Sequence, residues 1–147
     1  DAAGFVGRAA LLAGAVAGAA VVIGALVRPA WRLDAYPVAE LTWMQRAGLL
    51  SKRVATQDFV GNLRTLREGP HGEVFIDDRY DMYPTRVTAD YVTLLRGRPA
   101  WGRVLQRWHV DAVLWERDTA LAALITASRD WQVVHRTKGW VVAVRVR

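Results

Sequence analysis

Carboxylate side chains follow three apolar segments that we predict to be β-strands. Because the carboxyl ends of parallel strands meet at one edge of a sheet, where α/β proteins bind their ligands, we expect a polar or cation-assisted site at that edge. For Asp58 and Asp118 the alternative is capping of the helices that follow them. The residues concerned are Asp58 after the first strand, Asp77 and Asp78 after the second, and Glu116 and Asp118 after the third.

The segment after the second predicted strand is the densest group of polar residues. Residues 77–84 read Asp-Asp-Arg-Tyr-Asp-Met-Tyr-Pro and have no apolar periodicity. We predict that this loop, together with Asp58, contacts a ligand or another part of the protein. An internally paired Asp–Arg turn is the alternative. The candidate residues in the loop are Asp77, Asp78, Arg79, Asp81 and Tyr83.

The same loop contains the Asp-Asp-x-x-Asp spacing with which prenyl-diphosphate enzymes hold magnesium. Those enzymes present the three carboxylates from a helix inside a large helical cavity. Here the triplet of Asp77, Asp78 and Asp81 follows a predicted strand and precedes Pro84. We therefore predict no metal site.

The sequence lacks the residues and motifs that several common kinds of active site require. The chain has no cysteine, and neither of its two serines, Ser51 and Ser128, lies in a Gly-x-Ser-x-Gly motif. The three histidines are scattered, and neither a phosphate-binding P-loop nor a Gly-x-Gly-x-x-Gly fingerprint occurs. We predict no catalytic residue, no metal and no cofactor within this segment.

An uncharged, Gly- and Ala-rich stretch over residues 9–27 predicts a transmembrane helix of roughly 28 Å. Arg28, Trp31 and Arg32 follow it, as is typical of interfacial anchors. The small residues include Gly14 and Gly18, a spacing that favours packing against other transmembrane helices, although an Ala-rich composition is the alternative. We assign residues 1–35 to this helix and a juxtamembrane hinge.

Helices and strands alternate over residues 36–147, which we assign to one α/β domain. We predict helices that begin near Pro37, Asp58, Thr85 and Asp118, and one that carries the apolar stripe from Trp101 to Trp108. The two final strands form an antiparallel hairpin. The expected fold is a small, Rossmann-like, mostly parallel sheet with flanking helices, preceded by the transmembrane helix.

The chain has 20 Lys and Arg against 14 Asp and Glu, a formal charge of +6. The arginines are spread along the whole chain, so we predict no nucleic-acid binding. The densest set could face anionic lipid headgroups or phosphate-bearing lipid carriers, or form a solvated face of two helices. That set is Arg86, Arg96, Arg98, Arg103 and Arg107.

Three motifs carry a resemblance to a known family. They are Asp58-Phe-Val-Gly-Asn62, Val74-Phe-Ile-Asp-Asp-Arg-Tyr-Asp-Met-Tyr83 and Asp90-Tyr-Val-Thr-Leu-Leu95, followed by Trp101 and Val110-Asp-Ala-Val-Leu114. Over about 110 residues the chain resembles the C-terminal extracytoplasmic domain of bacterial polytopic membrane proteins related to GT-C glycosyltransferases, of the dolichyl-phosphate-mannose-protein mannosyltransferase type. The matching residues are Asp58, Gly61, Asp77, Arg79, Asp81 and Tyr83; Asp78 stands where the family usually has glycine.

The resemblance implies the C-terminal part of a cell-membrane glycosyltransferase. Such an enzyme takes a sugar from a polyprenyl phosphate and passes it to a glycan or protein acceptor. Its catalytic residues are expected upstream, and the chain, which starts at Asp1 without an initiator Met, is expected to be a piece of a longer protein. The domain would act on the acceptor side and outside the cytoplasm. The alternative is a non-enzymatic, membrane-tethered interaction module of a cell-envelope assembly.

Overall fold

The computed structural model describes residues 2–27, 33–69 and 73–146, with side chains in the first helix over residues 13–26. The chain divides into two compact units, residues 1–35 and 36–147. The first unit contains α1 (Ala2–Val27). The second contains the helices α2 (Val38–Arg46), α3 (Asp58–Glu68), α4 (Thr85–Leu95), α5 (Trp101–Arg107) and α6 (Ala120–Ala127), and the strands β1 (Val54–Thr56), β2 (Ala112–Glu116), β3 (Trp131–Arg136) and β4 (Trp140–Arg145).

The first unit does not match its prediction. Among the residues that the structure describes, no helix combines the length and the apolar character that crossing a membrane requires. On this finding the predicted transmembrane helix over residues 9–27 is wrong. The predicted anchors Arg28, Trp31 and Arg32 lie outside the described residues.

The second unit is built on a four-stranded mixed sheet with the order β1-β2-β4-β3. Among the described strands, β1 and β2 are the one parallel pair, with Ala55 opposite Val113. The β3–β4 hairpin is antiparallel, as predicted, and β4 is also antiparallel to β2. The predicted Rossmann-like, mostly parallel sheet is therefore wrong, because the hairpin takes the edge of β2 that a further parallel strand would need.

The predicted second strand, residues 73–77, is also wrong, since this segment forms no strand. Its apolar character reflects burial in the core instead. Ile76 is fully buried and belongs to the cluster that contains Val87 and Tyr91 of α4. A continuous apolar run as short as Val74 to Ile76 does not distinguish a buried extended segment from a paired strand.

Helices cover both faces of the sheet. Residues of β1 and β2 alternate between two apolar clusters, so that Val54 and Leu114 pack with α2 and α3, whereas Ala55 and Trp115 pack with α4, α5 and α6. This alternation is the consequence of side chains pointing to opposite faces along a strand. The predicted helices near Pro37, Asp58, Thr85, Trp101 and Asp118 are confirmed.

One close backbone contact determines where the segment after α3 lies. A Cβ atom added to Gly61 of α3 would come within 2.0 Å of the carbonyl oxygen of Ile76. Real side chains do not approach backbone this closely. Only glycine at this position allows residues 76–77 to pack directly against α3.

We expect Gly61→Ala to destabilise residues 36–147 by about 2–3 kcal/mol or more, because the added methyl group displaces the Ile76 backbone. Gly102→Ala is the matched control. Gly102 is also helical, in α5, but a Cβ there meets no atom within 4 Å. The control should raise stability by about 0.5–1 kcal/mol through helix propensity alone. Urea unfolding of both variants measures the difference; equal effects would contradict the contact.

Candidate binding site: the aspartate loop

The carboxyl ends of β1 and β2 are joined by a side chain that sequence reasoning missed. Gln57, just after β1, is buried. Its amide nitrogen donates to the Glu116 carboxylate at 3.1 Å, and its amide oxygen accepts from the Glu116 backbone N–H at 3.1 Å. The sheet edge where we expected several carboxylates therefore presents one amide–carboxylate pair. A polar residue directly after a buried strand was the available signal.

Capping explains the two flanking aspartates only in part. Gln57, not Asp58, occupies the position before α3, and Asp58 is the first helical residue. Its carboxylate accepts from the Phe59 backbone N–H at 2.9 Å, which places a negative charge favourably at a helix N-terminus. Asp118 does not cap α6, because Thr119 precedes that helix and Asp118 pairs with Arg117 at 3.1 Å.

Two tyrosines hold Asp58 in place. The Tyr91 hydroxyl accepts a hydrogen bond from the Asp58 backbone N–H at 3.1 Å, and the Tyr80 hydroxyl donates to the Asp58 carboxylate. Burial, and after it the nearby Asp58 carboxylate, raises the pKa of Tyr80. The pKa of Tyr91 is also raised, chiefly by burial. Both phenols are therefore neutral donors or acceptors at physiological pH, and Asp58 links α3 to α4 and to the loop.

We call residues 77–83 the aspartate loop. Its first residue, Asp77, is buried and pairs with Arg79. The Arg79 Nε donates to both carboxylate oxygens at 3.0 and 3.2 Å, and the Arg79 backbone N–H donates at 3.1 Å. The hydrogen bond from the Arg79 side chain is the main cause that lowers the pKa of Asp77, and the Tyr83 hydroxyl contributes. Burial, and after it Asp77, raises the pKa of Tyr83.

The second aspartate of the loop is fixed from α3. The Asp78 backbone N–H donates to the Asn62 side-chain oxygen at 3.2 Å, and the Asn62 amide donates to the Asp78 carboxylate. Asn62 follows Gly61, so the glycine that permits the approach stands beside the side chain that fastens it. A single 3-10 turn, Tyr80–Met82, completes the loop, with the Met82 N–H on the Arg79 carbonyl at 2.9 Å.

The six predicted site residues fall into two groups. Asp58, Asp77, Asp78 and Arg79 each take part in hydrogen bonds, Asp58 with Tyr80, Asp78 with Asn62, and Asp77 with Arg79. Asp81 is exposed and makes no hydrogen bond or ion pair with any residue that the structure describes. Tyr83 is half-buried beside Asp77. The internally paired Asp–Arg turn, given above as the alternative, is thus present. Contact of the loop with a ligand stays a prediction.

The outer surface of the loop combines charge with an exposed apolar group. The Arg79 side chain is 57% exposed although it is paired, and Met82 is 70% exposed. Leu66, one helical turn beyond Asn62, is also exposed. Within the described ranges, no group of three or more His, Asp or Glu side chains is arranged to hold a metal ion. The arrangement is suited to recognising a partner through a preformed surface.

The arginine set on α4 and α5 is not uniform. Arg107 is paired with Asp90, with its Nη1 at 2.8 and 2.9 Å from the two carboxylate oxygens. Arg86, Arg96 and Arg103 are exposed. This agrees with a solvated face for most of the set, and contact with lipid headgroups or lipid-carrier phosphates stays a prediction.

Comparison with protein-family models, with curated proteins and with solved structures gave no match to this chain. The resemblance described above therefore rests on the quoted motifs alone.

We expect Asp77→Asn to lower the free energy of unfolding by about 1–2 kcal/mol at pH 7, a modest value because Arg79 is largely exposed and screened. A carboxylate whose pKa is lowered by folding stabilises the folded state above its unfolded pKa of about 3.9. That stabilisation is lost as the pH falls through the lowered folded value. The difference between wild type and variant should therefore shrink below about pH 4.

Asp81→Asn is the matched control, because Asp81 lies in the same loop but is exposed and unpaired among the described residues. Its effect should stay within about 0.5 kcal/mol at every pH. Urea unfolding between pH 2.5 and 7 measures both. A gap for Asp77→Asn that stays constant with pH would show that the ion pair contributes nothing.

Proposed function

We propose that residues 36–147 form a recognition domain, and that this domain serves as the accessory, acceptor-side part of a GT-C-like glycosyltransferase. The donor of such an enzyme is a polyprenyl-phosphate sugar and the acceptor is a glycan or a protein. The aspartate loop is the proposed contact surface for the acceptor. Under this proposal the catalytic residues lie outside residues 1–147, and the domain works outside the cytoplasm.

One observation carries the proposal: residues that are far apart in the matching motifs meet in one cluster. Gly61 admits the backbone of Ile76, and the adjoining Asp77 pairs with Arg79. The Asp58 carboxylate accepts a hydrogen bond from Tyr80 of the same loop. The motifs that carry the resemblance thus have a common physical purpose, which is to hold the loop in one conformation. A loop that is fixed before binding loses less conformational entropy when a partner arrives.

The chemistry of the carboxylates favours recognition over catalysis at this surface. Asp58, Asp77 and Asp78 each accept hydrogen bonds from neighbouring side chains. A general acid or base must be able to exchange a proton with the substrate, and the lowered pKa of Asp77 makes that carboxylate a poor proton acceptor. Arg79, Asp81 and Met82 remain exposed to meet a partner.

The second candidate is a non-enzymatic interaction module of a cell-envelope assembly. The exposed apolar side chains at and beside the loop, Met82 and Leu66, favour it. Methionine and arginine are enriched in protein–protein interfaces. In this case the same surface would bind a protein, and no sugar transfer would depend on it.

The double variant Asp81→Ala/Met82→Ala tests the proposal, because it changes the loop surface without touching the paired residues. The measurement is transfer of radiolabelled mannose from polyprenyl-phosphate mannose to acceptor by the full gene product. We expect kcat/KM for the acceptor to fall about tenfold, which corresponds to the loss of one or two interface contacts.

Val134→Ala/Lys138→Ala is the matched control, since it removes one exposed apolar and one exposed charged side chain from the β3–β4 hairpin. It should leave transfer unchanged. Equal transfer by the wild type and the loop variant would contradict the acceptor-side role. A full gene product that transfers no sugar, but whose crosslinking from position 82 to one discrete protein is lost in Asp81→Ala, would favour the interaction module.

A further inference from the structure

A cavity of about 550 Å³ lies at the amino ends of β1 and β2. Asp58, which contacts the aspartate loop, lies at the other end of β1. This volume is within the range of small-molecule sites. The cavity is open to solvent on one side and belongs entirely to the second unit. Of the six site residues predicted from the sequence, only Tyr83 lines it.

One wall of the cavity is aromatic and held in place. Phe75 and Trp108 pack edge to face, with ring centroids 5.9 Å apart. The Trp108 indole N–H donates to the buried Asp90 carboxylate at 2.9 Å. The two rings are nearly perpendicular, at 85°, so a planar ligand can stack on the face of one ring and meet the other at its edge, and the fixed wall lowers the entropic cost of binding.

The rim carries more donors than acceptors. Arg53 and His109 are exposed there, and Arg107 presents the guanidinium nitrogens that it does not use on Asp90. Among the described residues that line the cavity, Glu73 supplies the one carboxylate. Within residues 33–69 and 73–146, no hydrogen bond or ion pair engages the side chain of Arg53 or Glu73. The aromatic wall thus lies beside a set of cationic and N–H donors.

His109 has a backbone conformation that favours glycine. Its φ is 51°, and it follows α5 in a Schellman turn, with the His109 N–H on the Gln106 carbonyl and the Val110 N–H on the Leu105 carbonyl. The three other described residues with positive φ are glycines. A side chain at this position costs stability. Because this non-glycine residue with positive φ stands at the rim of a cavity, its imidazole is a candidate for binding a ligand there.

We propose that this cavity binds a small planar ring that carries a carboxylate. The ring lies against Phe75 and Trp108, and the carboxylate accepts hydrogen bonds from Arg53 and His109. Glu73 opposes the negative charge and limits the affinity. The cavity shares Tyr83 with the aspartate loop, but the proposed ligand contacts lie outside that loop, and the inference does not depend on the proposed function.

Three probes separate the two parts of the proposed ligand: 2-naphthoate has ring and carboxylate, 2-naphthol has only the ring, and acetate has only the carboxylate. Calorimetric titration of the complete chain at pH 7 should give naphthoate binding about tenfold tighter than that of naphthol, with no measurable acetate binding. Naphthol binding equal to naphthoate, or no naphthoate binding, would overturn the proposal.

Variants assign the contacts. His109→Gly should weaken naphthoate binding about fivefold and raise Tm by about 2–5 °C, because glycine tolerates the positive φ. A purely structural histidine would change Tm alone, and unchanged naphthoate binding would contradict the proposed hydrogen bond from His109.

Arg53→Gln should weaken naphthoate binding about tenfold, whereas Arg103→Gln, outside the cavity, should not. Glu73→Gln should tighten naphthoate binding about threefold, because it removes the negative charge that opposes the ligand carboxylate. Weaker binding would show that the ligand donates a hydrogen bond to Glu73, and it would contradict the proposal that the ligand carries a carboxylate.

Discussion

The second unit depends on the missing side chain of Gly61. Because α3 has no Cβ at Gly61, the backbone carbonyl of Ile76 can lie against the helix, and residues 76 and 77 are buried between α3 and the rest of the second unit. Ile76 then fills the apolar cluster below α4, and Asp77 is carried inside with it. A buried aspartate needs a partner, and Arg79, two residues further along, supplies it. The absence of a side chain at Gly61 thus allows the apolar contact of Ile76, the burial of Asp77 and its ion pair with Arg79.

The aspartate loop illustrates how a segment without regular secondary structure is made rigid. Two of its anchors, Asp58 and Asn62, come from α3, and the third, Arg79, comes from the loop itself. The polar groups on the inner side of the loop are used in hydrogen bonds with these anchors, whereas Asp81 and Met82 are exposed to solvent. This division explains why one short motif holds both residues that the fold requires and residues that are free to meet a partner.

The sequence predicted the parts that periodicity controls. Apolar spacing located α2 to α6 and the hairpin, and strand ends located Asp58. It did not predict the strand order, because pairing of β4 with β2 is decided by contacts between distant residues. Residues 73–77 look like a strand since burial alone produces their pattern. The roles of Gln57, Tyr80 and Tyr91 were missed because their partners lie 22 to 59 residues away in the chain. Where α1 is concerned, composition predicted a membrane helix that the described residues do not support.

The central claim is that the aspartate loop has one fixed conformation, held from α3 and from Asp77. Native-state hydrogen exchange of the backbone amides of Asp78, Arg79 and Met82 tests it most directly, because these N–H groups donate to Asn62, Asp77 and the Arg79 carbonyl. The account predicts that all three exchange at least about a hundredfold more slowly than an unstructured chain, and that Gly61→Ala removes this protection. Exchange of the three amides at the rate of an unstructured segment in the wild-type protein would contradict the account.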